Sequence, residues 1–419
     1  MDTRFYRDNA PWLAAAGLMT FASSFGQTFY IALSAGGIRA EFGLSDGAWG
    51  GLYTLATLAS AAVLVQAGGL ADRIALPRMI LGVAVLYLAA IALMATAESV
   101  LMLGLAVFGL RLAGQGLISH LGQVATARWF RANRGRAMAV VVLGYPLGEA
   151  ILPPLAVALI AAIGWRASWG VAAAILALLL VPAILALLAR GERRPAGAPS
   201  GEGAGHDAPG MGGRHWTRGE VLSHWSFWAL MPAVLTPGFI GTVLFFHQVH
   251  VAETRGWDLA TMAAGYPVYA AVSVALSLAS GPVIDRLGPV RFLPVFLMPI
   301  VAASLILAIP GSEVVWLGVL LAVGVSQGVV VTLFGTLWAT LYGTRALGGI
   351  KALAVSGSVL ATAIGPGITG LAIDLGYPLT VQGPAMAAGA LAAAAACTLA
   401  TPRLLAGLAT PAPIQPEAR

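Results

Sequence analysis

The chain has 419 residues, of which 59% are hydrophobic and 10% are charged, and its mean hydropathy is +0.86. Soluble domains carry about 25% charged residues, so this composition excludes a soluble globular protein and indicates one that lies in a lipid bilayer. The net charge of +6 does not indicate nucleic-acid binding, because basic residues also collect in the cytoplasmic loops of membrane proteins.

Twelve apolar segments, each about long enough to cross a bilayer, follow one another along the chain. They lie at 11–36, 47–69, 77–97, 100–127, 135–162, 165–189, 225–250, 259–284, 289–310, 314–342, 347–373 and 379–401. The sequence therefore predicts an all-α integral membrane protein with twelve transmembrane helices. A Gly-, Ala- and Pro-rich stretch between the sixth and seventh segments is typical of a flexible linker. The predicted domains are a six-helix bundle at 1–190, a cytoplasmic linker at 191–224, a second six-helix bundle at 225–405 and a tail at 406–419.

The two halves are related by an internal repeat. One shift of 213 positions aligns Gly68 with Gly281, Asp72 with Asp285, Arg73 with Arg286, Arg78 with Arg291, Gly135 with Gly348, Gly144 with Gly357 and Pro153 with Pro366. Polytopic membrane proteins with two like-oriented halves are usually carriers in which one half rocks against the other around a central site.

The distribution of basic residues predicts the orientation of the chain. Eighteen of the 23 lysines and arginines fall on the side that holds the N-terminus. By the positive-inside rule, both termini are expected in the cytoplasm, and the protein is expected in the inner (plasma) membrane as a multi-pass protein.

The fourth predicted span carries an arginine near the middle of the bilayer. Arg111 lies about ten residues from the outer end of its span, and Gln115 follows one turn later. An arginine at the centre of a membrane helix costs about 2.5–3.5 kcal/mol on insertion scales, so a partner is expected. Glu149 in the fifth span is the only acidic residue well inside any predicted span. We therefore expect Arg111 and Glu149 to meet in a water-filled cavity.

The whole chain resembles the major facilitator superfamily. The resemblance rests on the twelve spans in two repeats, the long central loop, and the motif Gly68-x-Leu70-Ala71-Asp72-Arg73 with its repeat at 281–286. The stretch 109–116 is similar to the superfamily's arginine motif, with one extra residue before Gln115. The resemblance implies the superfamily fold, a monomer, and a gating role for Asp72, Arg73, Asp285 and Arg286. The alternative for these arginines is that they only anchor the loops.

Six further polar side chains lie at the depth expected of a central cavity. The spans that carry them border the cavity in the superfamily, so the resemblance implies that, with Arg111 and Gln115, they contact the substrate: Gln27, Tyr30, His247, Tyr266, Tyr269 and Gln327. The alternative for each is a hydrogen bond between helices or, for the aromatic residues, a position at the membrane interface.

The function expected from these residues is secondary transport. Motifs for phosphate binding, nucleophilic catalysis and metal binding are missing from the sequence, so we expect no enzyme activity, no cofactor and no metal. The glycines and prolines of 144–154, with Gly164-Trp165-Arg166, resemble the monocarboxylate and oxalate–formate carriers. That resemblance implies a small organic anion as substrate.

In the hypothesis that follows, the anion binds Arg111, Glu149 is released to take up a proton, and both cross the membrane in the same direction. One alternative is proton-coupled efflux of hydrophobic or cationic compounds, with Glu149 as the substrate or proton site. A second alternative is a receptor or scaffold that does not transport.

Overall fold

The computed structural model describes residues 3–67, 74–130, 133–190 and 208–409, and within these ranges the only regular secondary structure is helical. The α-helices are α1 (Thr3–Asp8), α2 (Ala10–Ala22), α3 (Thr28–Ile31), α4 (Ala35–Phe42), α5 (Asp46–Ala67), α6 (Leu76–Thr96), α7 (Val100–Gly109), α8 (Ser119–Trp129), α9 (Arg134–Val141), α10 (Gly144–Ala174), α11 (Val181–Arg190), α12 (Arg218–Ser223), α13 (Trp225–Phe246), α14 (Gln248–Arg255), α15 (Leu259–Ala263), α16 (Tyr266–Leu287), α17 (Pro289–Phe292), α18 (Met298–Ala308), α19 (Val314–Tyr342), α20 (Leu347–Asp374) and α21 (Leu379–Ala409). Short 3₁₀ turns lie at Ser23–Gly26, Ala32–Ser34 and Met211–Gly213, and π-helical segments at Leu110–Ile118 and Ile175–Leu180.

In the described ranges, nine helical stretches are long and apolar enough to cross a membrane. The all-α membrane architecture is thus confirmed, whereas the count of twelve spans stays a prediction. The first predicted span is broken at Gln27. The fifth and sixth lie together in Arg134–Arg190, which is interrupted by a turn at 142–143 and by Gly164, whose φ is 81° and ψ 162°. In the ninth, the longest helix is α18, with 11 residues.

The described contacts divide the chain into two units. The first contains Met1–Gly201, Thr242–Ala270 and Ala363–Leu379, and the second contains Glu202–Gly241, Ala271–Thr362 and Thr380–Arg419.

The first unit holds more than the N-terminal helices because parts of α13, α14, α16 and α20 pack with them. The Trp49 ring of α5 stacks on Phe246 of α13 with 5.8 Å between ring centroids. Gln248 of α14 donates a hydrogen bond to the carbonyl of Phe29 at 3.2 Å.

Part of the predicted flexible linker is folded in the second unit. Within 208–224, the Trp216 indole N–H donates to the Met211 carbonyl at 3.0 Å, and the Trp216 backbone N–H donates to the Tyr342 carbonyl at 3.0 Å. Met211 and Trp216 are both buried. The expectation of flexibility fails here because these two apolar side chains dock on the end of α19 despite the glycine-rich composition around them. The earlier part of the linker lies outside the described residues.

Candidate functional site

Two irregular helical segments cross in the first unit. The first predicted span changes at Ser23–Gly26 from α-helix to a 3₁₀ turn, and Gln27 is extended with φ −83° and ψ 154°. Gly26 lies directly against the π-helical segment Leu110–Ile118. A Cβ atom on Gly26 would collide with the carbonyl oxygen of Leu110 and would lie 2.9 Å from the backbone nitrogen of Gln115. Only glycine allows this close approach, so the break and the π-helical segment position each other.

The π-helical segment explains the extra residue that the sequence carries before Gln115. A π-turn accommodates one additional residue within a helix and leaves carbonyl groups imperfectly bonded. The Ser119 hydroxyl bonds carbonyl groups of this segment: it donates to the Gln115 carbonyl at 2.5 Å and lies 3.1 Å from the Gly116 carbonyl.

Helix α10 is seated on α2 by two glycines four residues apart. A Cβ on Gly144 would collide with the Thr20 hydroxyl and the Gly17 carbonyl, and a Cβ on Gly148 would collide with the Ser24 hydroxyl. The close helix contact expected from the glycines of this span is therefore present. Glu149 follows Gly148 directly and is brought beside the break in the first span.

A cavity of about 320 Å³ opens at this crossing. Its lining residues are Ser24, Gln27, Phe29, Gln115, Tyr145 and Glu149. Gln123 donates to the Tyr145 hydroxyl at 2.8 Å, and the Tyr269 hydroxyl lies 3.5 Å from Glu149 Oε1. The Ser24 hydroxyl is buried and has no hydrogen-bond partner within the described ranges. The cavity thus combines a carboxyl group, two amides and hydroxyl groups, and none of its lining residues is a lysine or arginine.

The predicted pair of Arg111 and Glu149 is wrong: in the part of the chain that the structure describes, no ion pair joins them. Arg111 is 4% exposed, and its Nη1 lies 3.4 Å from the Gly26 carbonyl and 3.3 Å from Thr28 Oγ1. Its guanidinium also lies 5.2 Å from the centre of the Tyr53 ring. The break in the first span supplies the acceptor at Gly26, so Arg111 contacts groups at the break and on α3 and α5 and is not among the residues that line the cavity.

The structure brings some of the other predicted residues to the cavity and leaves others elsewhere. Gln27, Gln115 and Glu149 line it, and Tyr269 contacts Glu149. Tyr30 packs edge-on against Phe25 and Trp169, with 5.1 Å between ring centroids in each case.

Two further candidates also lie away from the lining. Tyr266 donates to Gln248 Oε1 at 2.8 Å. Gln327 is half-buried in α19 of the second unit. The sequence did not indicate that Ser24, Phe29 and Tyr145 line the cavity, because a serine and two aromatic residues are common in any membrane helix.

His247 belongs to a second polar group, which we call the Arg39 cluster: Arg39, Asp46, His247, His250 and Glu253. Arg39 donates to Asp46 Oδ2 at 2.9 Å and also pairs with Glu253. His250 Nδ1 lies 3.1 Å from Asp46 Oδ2, and His247 Nδ1 lies 3.9 Å from Asp46 Oδ1. The sequence did not indicate this cluster, because α4 and α5 lie about 200 residues before the 247–253 stretch that supplies its other members.

An ion pair near the Arg39 cluster fixes the end of α4. Arg166 binds Glu41 through Nη2 at 2.6 Å and Nε at 3.0 Å, and the Trp165 indole N–H donates to Glu41 at 3.0 Å. The hydrogen bond from Arg166 lowers the pKa of Glu41 below its ordinary value. Glu41 therefore stays ionised at neutral pH and holds α4 to the segment that follows Gly164.

Two of the four predicted gating residues lie within the described ranges, and the structure pairs neither with an oppositely charged residue there. Asp285 and Arg286 are exposed near the end of α16 and make no ion pair with any residue of the described ranges. Asp72 and Arg73 lie outside the described residues. The gating role stays a prediction.

Comparison with known proteins identifies the fold. The family model of the Major Facilitator Superfamily matches residues 16–366. A solved structure of a bacterial homologue of the human lysosomal transporter Spinster, inward-facing and unoccupied, has a TM-score of 0.68 at 16% identity, over 96% of each chain. A peptide transporter, POT, in complex with sulfate has a TM-score of 0.70 at 12% identity, over 94% of each chain. No curated protein matches this chain by sequence.

Proposed function

Since this chain belongs to the Major Facilitator Superfamily, we propose that it is a secondary active transporter that couples its substrate to protons through Glu149. The observation that carries the proposal is that Glu149 lines the cavity while its nearest hydrogen-bond donor is the Tyr269 hydroxyl, at 3.5 Å. An ionised carboxylate inside a membrane is costly unless it is paired, whereas a neutral carboxylic acid is not. Glu149 is therefore suited to take up a proton when the cavity holds no cation and to release it when one arrives.

The same proposal covers topology, location and oligomeric state. The chain forms twelve spans with both termini in the cytoplasm, sits in the plasma membrane as a monomer, and uses Asp72, Arg73, Asp285 and Arg286 at its cytoplasmic side. Transport proceeds by alternating access of the two halves. We propose no catalytic step.

The charge of the cavity favours a cationic substrate exchanged for a proton. Glu149 is the only charged residue of the lining, and Phe29 and Tyr145 contribute aromatic rings, which attract cations. Gln27 and Gln115 supply donors and acceptors that orient a polar group. A volume of about 320 Å³ suits a small molecule. Because substrate and proton would compete for one carboxylate, the expected mode is antiport.

Symport of a small monocarboxylate-like anion is the second candidate, and one observation favours it. Arg111 has no carboxylate partner among the described residues, and its Nε lacks a hydrogen-bond partner there. An anion would supply the missing charge. It could bind only after Arg111 left the Gly26 carbonyl and Thr28, which now enclose it.

Purified protein in liposomes tests both candidates. Uptake of a panel of organic cations and carboxylates is measured with and without a pH gradient, for wild type, Glu149→Gln and the control Glu98→Gln, whose carboxylate is exposed. Cation uptake driven by an outward proton gradient and lost in Glu149→Gln supports antiport. Carboxylate uptake driven by an inward proton gradient supports symport instead. Full gradient-driven uptake by Glu149→Gln contradicts the role of Glu149 in both.

A further inference from the structure

We propose that His250 is a second proton-binding site, independent of Glu149, and that its protonation holds α4 and α5 against α14 and α20. All the contacts that support this lie within the first unit. His250 was not assigned a role in transport by the sequence, and the cavity at Glu149 does not include it.

The surroundings of His250 carry more acid than base. The charged and titratable groups there are Arg39 on α4, Asp46 on α5, His247 beside α14, Glu253 and Arg255 on α14, and Asp374 on α20. Arg39 is shared between Asp46 and Glu253, so these three side chains together carry one negative charge. Asp374 adds another, and it accepts hydrogen bonds from Ser45 Oγ at 2.6 Å and from the Gly47 backbone N–H at 3.1 Å. The Arg255 guanidinium, 5.5 Å from the Trp257 ring, offsets one of these charges, so one negative charge remains. A proton on His250 reduces this excess of negative charge.

The geometry of His250 leaves one ring nitrogen ready for that proton. Nδ1 lies 3.1 Å from Asp46 Oδ2, and because a carboxylate can only accept, Nδ1 carries the hydrogen of the neutral ring. Nε2 is buried and has no partner within the described residues, and the side chain is 7% exposed. A proton on Nε2 turns the ring into a cation that faces Asp46 directly. Histidine is the side chain whose ordinary titration falls nearest to neutral pH.

His247 is placed differently and is expected to stay neutral. It is 2% exposed, and its Nε2 lies 3.2 Å from the Pro366 carbonyl and 3.0 Å from Thr369 Oγ1. Its Nδ1 is 3.9 Å from Asp46 Oδ1, too far for a hydrogen bond. Burial disfavours the charged form of His247, and no hydrogen bond to Asp46 compensates.

Two of the helices that protonation of His250 would hold together, α5 and α20, are in close backbone contact. A Cβ on Gly50 of α5 would collide with the Pro366 carbonyl of α20, and a Cβ on Gly370 of α20 would lie 2.5 Å from the Asp46 carbonyl. Asp46 therefore lies inside a tight contact, and separation of α5 from α14 and α20 removes it from His250.

Proton binding and this contact are consequently linked. If the arrangement in which α4 and α5 contact α14 and α20 binds one more proton than the separated arrangement, the equilibrium between the two changes by up to about tenfold per pH unit. The sign follows from the charges: acid favours the contact, and rising pH weakens it.

Spin labels on both sides of the contact test the proposal. Ala40→Cys on α4 and Leu375→Cys after α20 are exposed sites, and Cys397→Ala removes the only native cysteine. The labelled full chain is placed in lipid nanodiscs, and the distance distribution is measured by double electron–electron resonance from pH 5.5 to 8.5. The population at the short distance should fall as the pH rises. His250→Gln should show the high-pH distribution throughout, whereas the control His120→Gln should respond as the unsubstituted protein does.

Three results would overturn the proposal: a distribution that does not change with pH, a wild-type pH response in His250→Gln, or a short distance at every pH in His250→Gln. Asp46→Asn removes the carboxylate that the charged ring faces, so it should also lose the response, and it serves as the test if His250→Gln does not fold. Glu149→Gln should keep the distance response while losing proton-driven uptake. The two proton sites can therefore fail separately.

Discussion

Arg111 and Glu149 are charged side chains in neighbouring segments of one unit, yet their surroundings are opposite. The guanidinium is enclosed by a carbonyl, a hydroxyl and an aromatic ring, whereas the carboxyl group lines a cavity with a tyrosine hydroxyl as its nearest donor. The difference teaches that a charge deep in a membrane protein need not be part of a binding site. A charge that is enclosed by groups of the fold stabilises the fold, whereas a charge that lines a cavity with few such groups is available for function.

The largest expected effect is on transport, from the loss of the Glu149 carboxyl group. Glu149→Gln keeps the shape of the side chain but cannot exchange a proton, so substrate accumulation driven by a pH gradient should disappear. Thermal stability should remain close to that of the wild type, because Glu149 has one long hydrogen bond to lose. Gradient-driven uptake and thermal unfolding, measured on the same preparation, check the two expectations. Unfolding of the variant at a much lower temperature would show that Glu149 is needed for stability.

The opposite pattern is expected for Arg111→Ala. The substitution leaves the Gly26 carbonyl without its donor, whereas Thr28 keeps the Tyr53 hydroxyl at 2.5 Å, and the free energy of unfolding should fall by about 1–3 kcal/mol, the cost of one buried group left unpaired. Proton dependence of the remaining transport should persist.

Arg111→Met distinguishes the two substrate candidates, because it keeps most of the side-chain volume without the charge. If Arg111→Met transports cations normally, Arg111 is structural. If it folds well but loses uptake of a carboxylate, the guanidinium binds the anion and the comparison drawn above fails.

A further prediction concerns the glycines that place Glu149. Gly144→Ala should destabilise the protein by about 1–3 kcal/mol, because the new methyl group meets backbone atoms of Gly17 and Phe21 that cannot move aside easily. Gly170→Ala is the matched control: no atom lies within 4 Å of its Cβ position, and alanine favours a helix over glycine by up to about 1 kcal/mol. Thermal unfolding of the two variants should therefore shift in opposite directions.

The smallest effect is expected at an exposed carboxylate, which sharpens the contrast with Glu149. Glu220 accepts from the Thr217 backbone N–H at 2.7 Å, from the Thr217 hydroxyl at 2.8 Å and from Arg214 at 2.5 Å. These donors, first the Thr217 backbone N–H, lower the pKa of Glu220 to about 2 from its ordinary 4.5. The folded-state pKa is depressed, so the stabilisation is fully present above pH 4.5 and is lost as the pH falls toward 2.

Hydrogen exchange of 208–224 checks this sign. Protection, corrected for the intrinsic exchange rate, should be constant from pH 7 to 5 and should fall between pH 4.5 and 2. Glu220→Gln should lack that fall. A decrease in protection that begins above pH 5 in the wild type would point to another group.

The sequence predicted the features that depend on composition and local spacing. Hydropathy was sufficient for an all-helical membrane protein, and the spacing of Gly144 and Gly148 was sufficient for the close packing of α10. Glu149 could be chosen as a site residue because it is the only acidic residue well inside a predicted span.

The direction of Arg111 could not be predicted in the same way. It depends on the π-helical turn and on the carbonyl freed at Gly26, which arise where two distant segments cross. The one indication in the sequence was the extra residue before Gln115, whose effect on the helix could not be known without its neighbour. The Arg39 cluster was hidden for a related reason, since no local pattern connects Asp46 with His250.

The π-helical segment Leu110–Ile118 makes the orientation of Arg111 sensitive to the smallest possible change in chain length. Because the π-turn absorbs one extra residue, deletion of a single codon within it would restore regular α-helical winding while the flanking helices keep their register. A descendant protein could thus change the surroundings of Arg111 by losing one residue, with the packing of the rest of the helix unaltered.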